Sequence, residues 1–432
     1  MSESMKDEKK GLMPRLRFPE FRDAGVWDNF PLSKISERIT EKVGSRKLTT
    51  VSITAGLGFV SQAEKFGRDI SGDQYKNYIL LKRGQFSYNK GNSKTFPQGC
   101  IYQLNEFDEV AAPNAFISFK FEGEFVPEFF KGYFDSNFHG YQLLRFITSG
   151  ARSDGLLNIS PDDFFSIRLP TPKKKEEQQK IADCLSSLDA LIAAQADKLD
   201  ALKTHKKGLM QQLFPREGET VPRLRFPEFR EAGEWEEKLL REVTTVLQGY
   251  GFPTAMQGKD DGKYPFCKVS DISRAVAEQG GLLADAANYV DDTDVSKLRA
   301  KLIPIGSTVF AKIGEALRLN RRAFVHRKCL IDNNVVGLKT MPGTADDYFI
   351  YLLSQLIDLN KHCGGAVPSV NKSTLEAIEV VLPGPEEQQK IADCLSSLDA
   401  LIAAQAEKLE TLKDHKKGLM QQLFPSPEAV SA

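Results

Sequence analysis

Two copies of one 40-residue segment constrain the fold of this chain more than any other feature. Residues 176–215 and 386–425 are identical at 36 of 40 positions. A shorter repeat, PRLRFPEFR followed by Asp or Glu and then Ala-Gly, occupies residues 14–25 and 222–233. The two repeats recur at offsets of 210 and 208 residues. The whole chain is therefore interpreted as a tandem duplication.

Each long repeat is predicted to be a helix that pairs with its copy as a coiled coil. Its apolar residues recur at steps of four and three, which is the pattern of a heptad seam. The predicted pairing residues are Ile181, Leu185, Leu188, Ile192, Leu199, Leu202, Leu209 and Leu213, repeated as Ile391, Leu395, Leu398, Ile402, Leu409, Leu412, Leu419 and Leu423. Two unrelated surface helices remain the simpler alternative.

Other residues of the repeat predict where the helix ends and how it is aligned. Pro215 should end the first helix, and Gly208 favours a kink or an early end. Gln195 and Lys206, with their copies Gln405 and Lys416, place polar groups in the seam. Such groups cost stability but can fix the register of two helices.

The segments between the helices are also related, but weakly. Gly84–Lys90 aligns with Gly306–Lys312, and Leu157-Asn158 aligns with Val370-Asn371. Short β-rich runs alternate with Gly and Pro turns. The predicted strands include Tyr78–Leu81, Phe116–Phe121, Thr308–Phe310 and Ala323–Val325. Each segment is interpreted as a mixed α/β domain with a curved sheet.

The fold class is therefore α+β, with two mixed α/β domains that alternate with two long helices. The helices should pair antiparallel, with pseudo-two-fold symmetry, which would bring the end of the second helix near Pro425 beside residues 14–22. The predicted division is an N-terminal repeat segment at 1–25, a first domain at 26–172, a first helix at 173–215, a linker and repeat segment at 216–233, a second domain at 234–384, a second helix at 385–425 and a C-terminal tail at 426–432.

Basic residues concentrate at matching places in the two domains, although the chain has 58 basic and 58 acidic residues in total. No acid occurs between Asp73 and Glu106, and Glu315 is the only acid from Arg299 to Lys328. Each basic run surrounds one of the aligned glycines, Gly84 or Gly306. A basic run is often only a solvated face, but two runs at equivalent positions favour phosphate contacts, with neighbouring Arg or Asn side chains reading base edges.

The candidate DNA-binding residues come from these runs and from the glycine-rich segment that follows the first. They are Lys82, Arg83, Asn89, Lys90, Asn92, Lys94 and Arg152 in the first domain and Lys312, Arg318, Asn320, Arg321, Arg322 and Lys328 in the second.

The order of domain and helix, given twice, resembles the specificity subunits of type I restriction–modification systems, the HsdS family. The most specific elements of the resemblance are the two EEQQKIADCLSSLDALI helices and the Leu-Pro-x-Pro segments at 169–172 and 382–385. The resemblance implies that each domain is a target recognition domain for one half of a bipartite DNA site. It also implies two methyltransferase subunits and two restriction-translocase subunits as partners, with adenine methylation by S-adenosylmethionine carried out in those partners.

The residues themselves predict no catalytic, cofactor or metal site. The sequence contains no CxxC or HExxH motif, no phosphate-binding GxxxxGK[ST] loop and no NPPY-type methyltransferase motif. The charged N-terminus lacks the apolar run of a signal peptide, so a cytoplasmic protein is expected.

A self-contained DNA methyltransferase and a coiled-coil adaptor without a DNA role remain the alternatives. Binding of S-adenosylmethionine by the isolated chain would favour the first, and absence of DNA binding with the partners present would favour the second.

Overall fold

The computed structural model describes residues 12–54, 56–91, 96–147, 157–364 and 367–426. The chain divides into two compact units, Met1–Ala194 with Glu410–Ala432, and Gln195–Leu409. Each unit therefore contains one domain together with part of each long helix.

The helices of the described residues are mostly short, apart from two of 39 residues each. The α-helices are α1 Leu32–Ile35, α2 Gln62–Phe66, α3 Pro127–Asp135, α4 Phe138–Leu143, α5 Pro161–Phe165, α6 Lys175–Leu213, α7 Leu240–Val243, α8 Val269–Glu278, α9 Asp292–Lys297, α10 Glu315–Arg318, α11 Asp347–Leu356, α12 Lys372–Glu376 and α13 Pro385–Leu423. Short 3-10 helices span Pro19–Phe21, Gly72–Asn77, Leu144–Phe146, Pro227–Phe229, Thr254–Met256 and Leu359–His362.

The strands fall into the two domains. Those of the first domain are β1 Asp28–Pro31, β2 Ser36–Arg38, β3 Val51–Thr54, β4 Gly58–Ser61, β5 Ile79–Lys82, β6 Phe86–Asn89, β7 Cys100–Gln103, β8 Glu109–Ala112, β9 Ile117–Phe121 and β10 Arg168–Thr171. Those of the second are β11 Glu236–Leu239, β12 Thr244–Gln248, β13 Tyr264–Cys267, β14 Leu282–Leu283, β15 Tyr289–Val290, β16 Thr308–Ala311, β17 Ala323–Val325, β18 Leu330–Ile331, β19 Val335–Thr340 and β20 Glu379–Leu382.

The central sheets of the two domains share one topology. The first domain has the order β2-β9-β6-β7, and the second has β12-β19-β16-β17 with β14 added at the edge. In each domain the first and last strands, β1 with β10 and β11 with β20, form a separate antiparallel pair. The predicted strands are confirmed to within a residue at their ends. The weak sequence alignment is confirmed too, because β6 and β16 occupy the same position in their sheets.

The long helices run without interruption through Gly208 and Gly418. The expected early end is therefore wrong. A helical glycine costs about 1 kcal/mol relative to alanine. Here the neighbouring Met210 and Leu213 are buried in the core of the second domain, and that burial outweighs the cost.

The two helices pair antiparallel. Lys416 of α13 contacts Asp189 of α6 at 2.6 Å in the first unit. In the second unit the Gln405 amide donates to the Gln195 side chain, and Lys206 contacts Asp399 at 2.6 Å. Residues later in α6 therefore contact residues earlier in α13, as antiparallel pairing requires. All four polar seam residues thus have a partner on the other helix, because Gln405 and Gln195 bond to each other.

The ends of the helices belong to the domain cores. Ile181 and Leu185 from α6 and Leu423 and Phe424 from the end of α13 are buried in the core of the first domain. The same positions of the other copies, among them Ile391 and Phe214, are buried in the core of the second. All sixteen predicted pairing residues are buried or half-buried. Those near the helix ends pack against a domain as well as against the other helix.

The short repeat holds the start of each long helix. The Arg17 guanidinium binds both carboxylate oxygens of Glu177 at 2.7 Å, and Arg225 binds Glu387 in the same way at 2.8 and 2.6 Å. The Leu16 amide also donates to the Gln422 carbonyl at 2.9 Å. The expectation that the end of the second helix lies beside residues 14–22 is confirmed for the described residues.

Candidate DNA interface

The basic residues Lys90 and Lys312 occupy equivalent places in the two domains. Each directly follows the inner strand of its sheet, β6 or β16. The Leu157 amide donates to the Lys90 carbonyl at 2.9 Å, and the Val370 amide donates to the Lys312 carbonyl at 3.0 Å. We call the ends of the inner strands at these two lysines the strand-end faces of the two domains.

The strand-end face of the second domain gathers polar side chains from three strands. The Lys312 amide donates to the Asn334 carbonyl at 2.9 Å, which joins the end of β16 to the turn before β19. The Lys312 ammonium donates to Gln248, at the end of β12, at 3.3 Å. Asn333 and Asn334 are both exposed at the tip of that turn. Cationic and amide groups thus lie together where the strands end on one side of the sheet.

The strand-end face of the first domain has a similar composition. Lys90 is half-buried, and its ammonium donates to the Ile159 carbonyl at 3.4 Å. Asn114 lies in the turn before β9, and its side chain accepts a hydrogen bond from Lys42 at 3.1 Å. Lys42 and Asn114 are both exposed. Sequence reasoning missed Asn114, Asn333 and Asn334 because they lie outside the basic runs. Asn114 and Asn333 could have been identified from the sequence, because both copies of the domain have an asparagine at this position.

Arg318 and Arg321 of the second domain remain candidates for contact with DNA. Arg318 ends the short helix α10, just after Lys312, and its side chain is 58% exposed. Its weak pairing with Glu315, at 3.5 Å, leaves the guanidinium open to solvent. Arg321 is half-buried and precedes β17.

Arg322 and Asn320 have structural roles instead. Arg322 is 4% exposed, and its guanidinium lies 4.5 Å from the centre of the Phe310 ring. Burial lowers the pKa of this guanidinium to about 10. Asn320, at a positive φ of 50°, accepts a hydrogen bond from Arg322 at 3.0 Å and donates one to the Ile357 carbonyl at 3.0 Å. We therefore exclude both from the interface, since their polar groups are turned into the domain.

Asn89 also serves the local backbone. Its side chain accepts from the Gly91 amide at 2.9 Å and donates to the Ile53 carbonyl at 3.3 Å. These contacts hold the chain as it leaves β6. The remaining candidates of this segment, Asn92 and Lys94, and also Arg152, lie outside the described residues.

Three further candidates lie at the opposite end of the inner strands. Lys82 and Arg83 precede β6. Lys328 follows β17, and the end of β17 lies beside the residues that precede β16, because the Gly306 amide donates to the Val325 carbonyl at 2.9 Å. Arg83 pairs with Asp108 at 3.0 Å and Lys82 with Glu109 at 3.7 Å. The structure therefore separates each basic run into two groups, one at each end of its strand.

The described residues provide neither a metal site nor a membrane span. Among them, no group of three or more His, Cys, Asp or Glu residues is arranged to hold a metal ion. No helix in the described ranges is both long and apolar enough to cross a membrane. The six cysteines are free.

Comparison with known proteins identifies a family. The family profile described as the type I restriction modification DNA specificity domain matches residues 76–204 and 232–414. The chain is 26% identical over 301 residues to the putative type I restriction enzyme MjaX specificity subunit of Methanocaldococcus jannaschii. That match covers 67% of this chain and 65% of the relative, just under two thirds of its length. A type I restriction enzyme specificity subunit of Escherichia coli, of EcoR124I/EcoR124II, is 23% identical over 284 residues, which are 61% of this chain and 65% of the relative.

Solved structures share the fold. The S subunit of a type I restriction–modification system from M. genitalium superposes with a TM-score of 0.59 and 14% identity, covering 96% of this chain and 99% of that one. A chain from a structure that describes complex assembly and conformational transition of the type I R-M system gives a TM-score of 0.53 and 15% identity. Its match covers 93% of this chain and 98% of that one.

Proposed function

This chain belongs to the family of type I restriction–modification DNA specificity subunits, and we propose from this premise that each of its domains reads one half of a bipartite DNA target. The observation that carries the proposal is the pair of strand-end faces. They occupy the same place on one sheet topology. Around the lysine and the asparagine that they share, their side chains differ, since the first face has Lys42 and the second has Gln248 and Asn334. Their supports, the long helices, are identical at 36 of 40 positions. A constant scaffold with two divergent faces suits two different half-sites.

Within each face, cations and amides have different tasks. We expect Lys90, Lys312 and Arg318 to contact phosphates or, for the arginine, a guanine edge. Such contacts to phosphate position a protein on the duplex, whereas side chains that reach the base edges select the sequence. The neutral total charge of the chain does not oppose this arrangement, since interactions beyond a Debye length of about 8 Å are screened at physiological salt.

The paired helices set the distance between the half-sites. From Ile181 to Leu213 the helix α6 rises by about 48 Å at roughly 1.5 Å per residue. Equivalent major-groove positions on one side of DNA recur about every 34–36 Å. We therefore expect half-sites about one helical turn apart, separated by a spacer that the protein does not read.

The helices also offer surface for the methyltransferase subunits. Leu191 and Leu401 are matching positions of the two copies, and both are exposed although they are large and apolar. Because the two positions match in the duplication, they would offer the same contact to each of two identical subunits. We propose that two methyltransferase subunits dock there, that two restriction-translocase subunits join them, and that the catalytic groups belong to these partners.

Sequencing of methylated DNA from a host that expresses the chain with its methyltransferase tests the proposed function. We expect adenine methylation at one bipartite sequence with a fixed spacer, and none when the chain is omitted. Methylation at a short continuous site, or binding of S-adenosylmethionine by the isolated chain, would contradict the proposal.

A further inference from the structure

The two domains carry an asparagine at the same position of the turn that borders the strand-end face. In the first domain Phe86 pairs with Phe119, and in the second Thr308 pairs with Leu338. Because Phe86 and Thr308 are equivalent positions of the inner strand, Phe119 and Leu338 are equivalent too. Five residues before them stand Asn114 and Asn333. The turns around the two asparagines otherwise differ in sequence.

The turn of the second domain is held by its backbone and by Asp332. The Asp332 carboxylate accepts a hydrogen bond from the Asn334 amide at 2.8 Å, and its carbonyl accepts one from the Val335 amide at 2.9 Å. An aspartate in the first position of a turn commonly makes such bonds. The Asn333 side chain is not needed for this geometry. It is exposed, and within the described part of the chain it makes no hydrogen bond.

The position of Asn333 beside Lys312 suits a group that reads bases. The turn is joined to Lys312 by the backbone hydrogen bond of 2.9 Å between the Lys312 amide and the Asn334 carbonyl. A lysine on a phosphate would therefore fix the distance of the turn from the duplex. The planar amide of asparagine can accept from N6 of adenine and donate to N7 at the same time.

Asn114 has the same chemistry available. Its Oδ1 accepts one hydrogen bond from Lys42, at 3.1 Å, which leaves a second lone pair and both protons of Nδ2 for a base. The contact with Lys42 also restricts the amide, so less freedom is lost when DNA binds.

From these contacts we propose that Asn114 and Asn333 each read a base edge, with adenine as the preferred partner, in the first and the second half-site respectively. This inference rests on the proposed function, because it assigns the readers within the two half-sites. The asparagines act through base contact, whereas Lys42, Lys90 and Lys312 position them from the phosphates.

The test replaces each asparagine separately, as Asn114→Ala and Asn333→Ala, in the chain assembled with its methyltransferase. Thr245→Ala is the matched control, because Thr245 is exposed on β12 of the second domain outside the strand-end face. Sequencing of methylated DNA should show that Asn333→Ala relaxes one base position of the second half-site only. Discrimination there should fall by about fivefold to a hundredfold, as for loss of a bidentate base contact.

The Asn114→Ala variant should give the mirror result, with one position of the first half-site relaxed and the spacer unchanged. Methylation patterns that equal the wild-type pattern for both variants would overturn the proposal. A uniform loss of affinity for all sequences, with a shallower salt dependence, would overturn it as well, because it indicates phosphate contacts. If the wild-type complex methylates no bipartite site, the proposed function itself fails before any variant is compared.

Discussion

Side chains that look alike in the sequence have opposite surroundings in the second domain. Arg318 and Arg322 both belong to one basic run, and composition alone does not separate them. Arg318 is open to solvent, whereas the guanidinium of Arg322 stacks on Phe310 and bonds to Asn320. The sequence therefore predicts where basic residues concentrate, but only packing decides which of them can meet DNA.

Arg318 and Arg322 should respond differently to alanine. Arg318→Ala should weaken DNA binding by about 1–3 kcal/mol if the arginine contacts guanine and change the free energy of unfolding by less than about 0.5 kcal/mol. Arg322→Ala should instead destabilise the second domain by about 2 kcal/mol, because it removes a buried stacked group. Urea unfolding and DNA titration of the assembled complex measure the two effects. Equal loss of binding with no loss of stability for Arg322→Ala would contradict this assignment.

The stability of the first domain should depend on pH through His139. It is buried, its Nε2 lies 3.4 Å from the Gly99 carbonyl oxygen, and its Nδ1 has no partner among the described residues. Burial lowers the pKa of this imidazole from 6.5 to about 4. The unfolded chain therefore binds more protons than the folded one between these values, so stability falls as the pH decreases from 6.5 towards 4.

The expected size follows from the pKa shift. Between pH 7 and pH 5 this histidine should lower the free energy of unfolding by about 2 kcal/mol, at 1.36 kcal/mol per pH unit. Urea unfolding at both pH values, followed by Trp27 fluorescence in a Trp235→Phe background, measures it. His139→Phe should reduce the pH dependence by that amount. An unchanged dependence would assign it to other groups.

At the scale of elements, the helix itself could be predicted from its apolar period, but the residue at which it ends could not. The heptad pattern is local, so it indicates a helix from sequence alone. Gly208 is also local, but the burial of Met210 and Leu213 depends on a domain that is distant in sequence. The role of the short repeat also depends on residues that are distant in sequence. Its arginines, Arg17 and Arg225, bind Glu177 and Glu387 near the starts of the long helices. The domains could diverge while this contact was kept.

The helix length should determine the spacer. Deletion of one heptad from each helix, residues 192–198 and 402–408, keeps the seam in phase and leaves the ion pairs of Asp189 and Asp399 in place. We expect a shorter permitted spacer with both half-sites unchanged, since the domains themselves are intact. Methylation mapping measures the spacer. If the spacer length stays the same, the helix length does not set the distance between the half-sites. Loss of all methylation with a folded protein would instead indicate that the methyltransferase no longer docks.

At the scale of the whole molecule, each unit depends on a helix segment that the other repeat could supply equally well. The first unit uses Lys416, Met420, Leu423 and Phe424 of α13. The residues at the same positions of α6 are Lys206, Met210, Leu213 and Phe214. The side chains that complete the first core are therefore present twice in the chain.

A fragment of residues 1–216 should therefore form a homodimer. Each copy would supply its own Phe214 and Lys206 to the other in place of Phe424 and Lys416, so the buried contacts stay nearly the same. Analytical ultracentrifugation would show the dimer, and with the methyltransferase it should methylate a palindrome of two first half-sites. A soluble monomer, or methylation of an asymmetric site, would refute this account. A fragment with Phe214→Ala serves as the control that should not dimerise.

The near-identity of the helices has a consequence for inheritance. A recombination event between the two repeats of one gene would remove 210 of the 432 residues and still leave a reading frame with one domain and one complete helix. Recombination between two alleles inside a repeat would exchange a whole domain without altering any residue that the helix presents to it. New target sequences could thus arise in one step, because the parts that must match are the parts that the two copies share.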